Sequence, residues 1–544
     1  MKERIIACLG RSWKDSLRRE EERKLLLACF GFSFFWGLLA HAYGFMQDSF
    51  SHDVLNAVYA DGVEVFWKMQ LGRFGTVLYR RLIRLPLALP WLNGVLSLLW
   101  IALALFLIAN LFELRSRPAL FVTAGVLTVN LSVIAMTATY GYEMDMNMFA
   151  LLAAAAAVYC WARFGWLGTL LGAGLIAGTL SLYQSYLSVA IGLLMLFCLQ
   201  RLLRRESFRQ VFFPGLRSLV MLGLGGGLYY ALLKLMARVK DIPLDTGSYN
   251  SVYTALEPGT EAPGLWQTLQ AVYRDFAGSF LNPAASHLSA GTLRLNWLLL
   301  ALTVLALLWV LLREKRGWAE KLLLLALVLL LPLGLNAARL FSGEDVHDLM
   351  KYAFWLAYLL PLLLIGESTL QGPGERSVPG IAATLLLLLL LWGNVQTANA
   401  VYVKKDLEQE ATLSLMTRVL GRIEAEPDYV PGETPLVFVG ADQTLYPQVY
   451  GFEAYYDITG AEYPSAVPYS ECFYYYNAYK AYFRYVLNTR AEMADVAIWQ
   501  ALQSDERVQV MPAYPAQGCL KDVDGVLVVK LGEPIDWSAK KVEK

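Results

Sequence analysis

The sequence predicts a polytopic α-helical membrane protein of about eleven transmembrane helices, followed by a small C-terminal extracytoplasmic α/β domain. Three observations carry that prediction. The 544-residue chain is 57% hydrophobic and only 17% charged, whereas soluble proteins carry roughly a quarter of charged residues. Its apolar residues fall in runs of about 20, long enough to cross a hydrocarbon core near 30 Å thick. Those runs stop near residue 399, where polar, tyrosine-rich sequence takes over. The formal charge is zero with no long single-sign tail, so nothing points to a nucleic-acid partner.

Residues 1–24 mix Lys2, Arg4, Arg11, Lys14, Arg18, Arg19, Arg23 and Lys24 with acids ahead of any apolar run. That is no cleavable signal. It reads as a cytoplasmic amphipathic helix holding the N-terminus inside, or as a plain solvated helix that sets topology. Spans are expected near 25–45, 90–112, 119–140, 147–163, 168–183, 184–200, 216–236, 294–312, 322–341, 352–366 and 378–398. The stretch 168–200 has the length of one long helix, but Arg163 precedes it and Arg201, Arg204, Arg205 and Arg209 follow it. Both ends then prefer the cytoplasm, so the chain enters and returns, turning at "LYQSYL", 182–187. Legs of about 16 residues reach only about 24 Å. The Tyr-Gln-Ser-Tyr apex should therefore sit below the outer surface, which is tolerable only inside protein or lining a cavity.

Arg115, Arg117, Arg313, Lys315, Arg316, Lys321 and Arg376 fall in inner loops on this threading. An odd number of spans places the C-terminus outside. The transmembrane domain is then 25–398, with large outer segments at about 46–89 and 237–293. In the C-terminal domain, 399–544, "PLVFVGADQT" reads as strand and turn, "CFYYYNAYKAYFRYVL" as helix and "GVLVVKL" as strand, an order suited to a small α/β unit. Cys8, Cys29, Cys160 and Cys198 show no CxxC and no metal spacing. Cys472 and Cys519 both fall in the outer region, where they would pair or stay free.

The first outer loop breaks the positive-inside pattern with Lys68, Arg73, Arg80, Arg81 and Arg84. An anionic group at the outer leaflet is the natural partner, because arginine's planar fork binds phosphate bidentately. Snorkelling to lipid head groups is the competing explanation. In "LGRF" a glycine beside Arg73 would permit close approach of the backbone to a ligand. The same loop holds Asp48, His52 and Asp53 in "GFMQDSFSHDVLNAVY". The two acids lie about 140° apart on a helix, so one would act while the other orients or caps. A carboxylate at the edge of a low-dielectric cavity has a raised pKa, which suits a general base. Ordinary solvated acids beside a helix N-cap at Ser51 or Asp53 are the bland alternative. "YGYEMDMN" puts Glu143 and Asp145 in the next outer loop. With Tyr183, Gln184, Ser185 and Tyr186 they offer the hydroxyl, amide and aromatic groups that a sugar-sized ligand needs, although Tyr183 and Tyr186 would also suit an interfacial belt. Arg339 and Lys351 flank the outer loop "FSGEDVHDLMK" and would add to the cations. His41, His287 and His347 are isolated. There is no Walker A, HExxH, Gly-x-Ser-x-Gly, or GxGxxG after a strand.

Four segments, "SHDVLNAVY", "LGRFGTVLYR", "YGYEMDMNMFALLAA" and "GTLSLYQSYLSVAIG", together resemble the type II glucosyltransferases that decorate bacterial O-antigen and related surface polysaccharides. These belong to the GT-C class of integral-membrane glycosyltransferases. The likeness spans most of the first 210 residues in order, and the later chain matches in layout. It implies a GT-C-like fold, a bacterial cytoplasmic-membrane location, and a polyprenyl-phosphate-linked sugar donor, with glucose on undecaprenyl phosphate the expected form. The acceptor would be a surface-glycan hydroxyl at the outer face. The resemblance maps the essential first-loop acid to Asp53 or Asp48, with Asp53 favoured by its His-Asp pair. The family's Gly-Arg falls on Gly72 and Arg73, and its Tyr-Gln-Ser on Tyr183, Gln184 and Ser185. Lys68, Arg73, Arg80, Arg81 and Arg339 would then hold the donor phosphate, and Glu143, Asp145, Tyr183, Gln184, Ser185 and Tyr186 the sugar or acceptor. No metal or cofactor is expected. Two rivals are a lipid-linked saccharide flippase, which predicts charged residues inside several spans and related halves, and a non-catalytic glycan-assembly protein.

Overall fold

The computed structural model describes residues 20–47, 68–84, 89–242, 264–283, 286, 288–313, 316–342, 346–365, 378–440 and 480–532. Asp48, His52, Asp53, His287 and Cys472 lie outside these. Helices run in the order α1 Glu20–Met46, α2 Phe74–Ile83, α3 Pro90–Leu111, α4 Arg117–Thr128, α5 Leu131–Thr139, α6 Met144–Arg163, α7 Gly165–Leu182, α8 Leu187–Leu203 and α9 Phe208–Lys240. They continue with α10 Leu265–Leu281, α11 Ala290–Arg313, α12 Trp318–Leu335, α13 Ala337–Ser342, α14 Leu359–Ile365 and α15 Val378–Glu424. Among the described residues nine helices are long and apolar enough to cross a membrane, and the bent pair α4–α5 makes a tenth if it is one span. Helices suit lipid because each satisfies its own backbone hydrogen bonds. The chain is a polytopic helical membrane protein.

A break in the helix falls at 182–187, where the reversal is expected. Tyr183 is extended, and a single 3₁₀ turn, Gln184–Tyr186, leads into α8. Tyr183, Ser185 and Tyr186 are buried within protein. Three other segments differ from the expected pattern. The span expected at 119–140 is broken, with α4 and α5 meeting at 40°. Asn130 forms the joint: its side chain accepts from Val133 N at 3.1 Å and donates to Val126 O at 3.0 Å. The other carbonyls released at the break are taken from far along the chain. Tyr352 OH donates to Leu127 O (2.6 Å), His41 Nε2 to Thr128 O (2.9 Å) and Asn394 Nδ2 to Val129 O (3.0 Å). A carbonyl only accepts, so the His41 proton sits on Nε2, and Nδ1 accepts from Tyr402 OH at 2.7 Å. His41 is thus a structural residue.

Of the segment expected to span at 352–366, residues 352–365 are described. They form a 3₁₀ turn, Tyr352–Tyr358, followed by the seven residues of α14. The helix expected to end near 398 instead continues to Glu424 as the 47-residue α15. The shift in composition near 399 therefore falls inside a helix.

Beyond α15 come β1 Pro435–Val439, β2 Glu492–Met493, α16 Val496–Gln503, α17 Glu506–Gln509, β3 Leu520–Val523 and β4 Val526–Lys530. The sheet order is β2-β1-β4-β3. β1 is parallel to β2 and β4, with Leu436 opposite Leu527, and the β3–β4 pair is an antiparallel hairpin. β1 and β4 are nearly continuous apolar runs because both sit inside the sheet. A separate hydrophobic cluster forms here, and Leu415, Met416, Val419 and Ile423 from the end of α15 pack into it. Cys519 is buried in that cluster and bonded to no described cysteine.

Candidate functional site

The site is built around α2. The turn preceding it is "LGR", in which Gly72 has a φ of +77° and a Cβ would fall 2.4 Å from Tyr229 OH. Only glycine fits both the left-handed backbone and this close approach. Tyr229 OH donates to Gly72 O at 3.2 Å and accepts from Gln184 Nε2 at 3.1 Å, while Gln184 Nε2 also donates to Leu71 O at 2.8 Å. The apex between α7 and α8 and the middle of α9 thus fasten the turn. Further along, Gly75 lies against the end of α7, where a Cβ would meet Ser181 Oγ at 2.3 Å and its carbonyl at 2.9 Å.

Each end of α2 is pinned by a buried ion pair. Ahead of it, Lys68 Nζ contacts Glu143, with the side chains 8% and 9% exposed. Behind it, Arg84 Nε lies 2.9 Å from Asp145 Oδ2, with exposures of 1% and 0%, and Arg84 also donates to Tyr142 O. Buried charges are tolerated when paired in this way. Between the pins, Arg73 at the N-cap of α2 sets its guanidinium over the Tyr183 ring at 4.3 Å. Its Nε is buried with no hydrogen-bond partner among the described residues. Arg80 is buried on the same helix. At Glu143, burial pushes the carboxyl up, but Lys68, Arg73 and Arg80 outweigh it and hold it below the ordinary range. Glu143 is therefore a carboxylate at neutral pH. With Glu143 and Asp145 set against Lys68, Arg73, Arg80 and Arg84, positive charge is in excess among the described residues.

Of the residues singled out in the sequence, Lys68, Arg73, Arg80, Glu143, Asp145, Tyr183, Gln184, Ser185 and Tyr186 come together. Their pairing differs from expectation, since Lys68 meets Glu143 and Arg84 meets Asp145, so both acids are occupied by protein cations. Arg81 stands exposed, one residue round α2 from buried Arg80. Arg339 is joined to Asp275 of α10. Gln184 binds backbone and Tyr229. Tyr186 packs on Tyr183 at 5.9 Å and on Tyr352 at 5.4 Å, in the core and not in a surface belt. Asp53 and Asp48 fall outside the described residues.

Among the buried charges not singled out are two neighbours on one helix. Lys404 and Lys405 on α15 are 2% and 1% exposed. Tyr43 OH donates to Asp406 Oδ2 at 2.6 Å, which places these lysines beside the end of α1, where the chain enters 48–67. "VYVKKDLEQE" reads as a solvated helix face, and nothing local in it marks the lysines as buried. Among the described residues no three His, Cys, Asp or Glu side chains converge as metal ligands.

The family model described as glucosyl transferase GtrII matches residues 42–366, more than half of the chain, and takes in the whole of the α2 cluster. No curated protein and no solved structure matches.

Proposed function

Because the chain belongs to the glucosyl transferase GtrII family, we propose that it moves glucose from a polyprenyl-phosphate donor to a surface-glycan hydroxyl at the outer face of the bacterial cytoplasmic membrane. The α2 cluster would be its donor-phosphate site, the N-terminus would be cytoplasmic, and the sheet at 435–530 would lie outside. The observation that supports this most directly is Arg73. Its neighbours Lys68 and Arg84 face carboxylates, whereas its own guanidinium rests on a ring with a buried N–H unmatched. A ring holds a guanidinium flat without neutralising it; Arg73 also acts on Glu143, but that carboxylate is in contact with Lys68, so the cluster keeps positive charge for an anion.

In this scheme the acceptor oxygen bonds to the anomeric carbon as its proton passes to the first-loop carboxylate, assigned to Asp53 with Asp48 orienting. The bond from the anomeric carbon to the phosphate oxygen breaks, and polyprenyl phosphate leaves with the electron pair. Arg73, backed by Arg80, meets the growing negative charge on that oxygen. Preorganised donors act strongly where charge develops. One carboxylate suffices, because a phosphate held by cations needs no acid to depart, unlike the leaving group in the two-acid glycoside hydrolases. Glu143, already paired with Lys68, would keep the cation cluster in place.

The test uses purified protein in detergent with polyprenyl-phosphate glucose labelled in the sugar, together with a surface-glycan acceptor. Release of polyprenyl phosphate matched by labelled glycan is expected. Asp53→Asn should abolish both while the protein still inserts and folds. If the labelled donor is moved across vesicles uncut, the flippase reading replaces this one.

A further inference from the structure

The break between α4 and α5 leaves the N-terminus of a nine-residue helix deep within the bundle. Its first residues, Leu131 and Ser132, wall a small cavity together with Ser286, Asp348, Lys351 and Trp355. Most of these groups are already engaged. Ser132 Oγ donates to Asp348 O at 2.5 Å and accepts from Trp355 Nε1 at 3.3 Å. Lys351 Nζ lies 3.0 Å from Asp348 Oδ1. Ser286 is the exception. It is 8% exposed, and its Oγ has no partner among the described residues. Buried hydroxyls are nearly always hydrogen-bonded, and an orphan calls for an occupant.

We propose that this cavity is a subsite for one hydroxyl of a saccharide, bound by Asp348, Lys351 and Ser286 beside the Trp355 ring. The proposal rests on the glucosyl-transfer reading above. Three features favour a sugar hydroxyl. The cavity takes about one hydroxyl-sized group. Its wall offers an anionic acceptor, a cationic donor and a hydroxyl, and a sugar hydroxyl both donates and accepts, so one atom answers several of them. A phosphate would instead be opposed by the Asp348 carboxylate. The position also fits. Tyr352 follows Lys351 directly and packs on Tyr186, which packs on Tyr183 beneath Arg73. The cavity thus stands across a row of buried rings from the proposed phosphate arginine, so the saccharide it would take is the acceptor and not the glucose held on the donor phosphate. A site built to bond a hydroxyl discriminates strongly against the analogue that lacks it.

The experiment titrates purified full-length protein with methyl glucoside and its monodeoxy analogues, standing in for one sugar unit of the acceptor, followed by ligand-detected NMR. One analogue should bind wild type about 10- to 100-fold more weakly than the parent, the range for a bond to a charged group. Ser286→Ala and Asp348→Asn should each shrink that gap to about threefold or less, since the bond would already be missing. Equal binding of all analogues to wild type, as a permanently buried water would give, overturns the proposal. So does a ranking that both variants leave unchanged. If Asp348→Asn fails to fold, Ser286→Ala decides alone. Transfer from polyprenyl-phosphate glucose is measured in parallel. A cavity-dependent ranking without transfer keeps the subsite and removes the transfer reading, and transfer with a flat ranking does the reverse.

Discussion

Arg73 differs from the surrounding cations in what lies against it. Lys68, Arg84 and Arg339 each meet a carboxylate, and Arg73 meets the face of Tyr183. At saturating donor, Arg73→Ala should slow single-turnover release of polyprenyl phosphate by about 10²–10³, the loss typical of one preorganised donor. Arg73→Lys should recover only part, because a point charge keeps the attraction and loses the fork. An arginine that merely reached for lipid head groups would tolerate lysine fully, so wild-type rates in the lysine variant would remove it from the phosphate site. At this scale the sequence drew attention to residues that the fold does bring together, Lys68, Arg73, Glu143 and Asp145 among them, and was silent about who meets whom. Its cations and acids read as two ligand-facing sets. Nothing in their spacing reveals that Lys68 and Glu143, distant in the chain, neutralise each other, since only the packing of α2 on the start of α6 brings them together.

At the scale of elements, α2 works as a short bar fixed at both ends, and its fixings have a measurable strength. Glu143→Gln leaves the Lys68 ammonium buried without its counter-charge, a change that typically costs about 3–5 kcal/mol. The thermal midpoint should fall accordingly. Adding Lys68→Met should restore much of the loss, because replacing a buried pair by apolar groups is often neutral. A single variant as stable as wild type would mean that the pair contributes nothing to holding α2. The break between α7 and α8 was legible from charge, since arginines on both flanks argue against one long helix there. The break between α4 and α5 was not. Asn130 is neither proline nor glycine, and the groups that satisfy the released carbonyls come from α1, from the 3₁₀ turn at Tyr352 and from α15. Sequence periodicity cannot see partners so far away.

For the whole molecule, apolar runs located the helical bundle well, because lipid-spanning length is written directly in composition. The strands at 435–439 and 526–530 were legible for the same reason, as short apolar runs bounded by turns. The extension of α15 past 399 was hidden because a helix can pass from apolar to polar surroundings without a change in its backbone. The proposed orientation places the sheet outside the membrane. Cys519 is a poor reporter of this because it is buried, whereas Val510 is 82% exposed. Val510→Cys should react with a membrane-impermeant maleimide on intact spheroplasts. Labelling only after lysis would put the sheet in the cytoplasm and reverse the side assigned to α2.

The continuity of α15 has a mechanical consequence. From Lys405, buried at the bundle, to Ile423, buried at the sheet, the backbone is one uninterrupted helix, about 27 Å at 1.5 Å per residue. Such a mast fixes both the height and the compass bearing of the sheet above the bundle. Each residue added to it would lift the sheet by about 1.5 Å and swing it by about 100°. The length of this one helix therefore acts as a ruler, setting how far from the bundle, and in which direction, anything held by the sheet is presented.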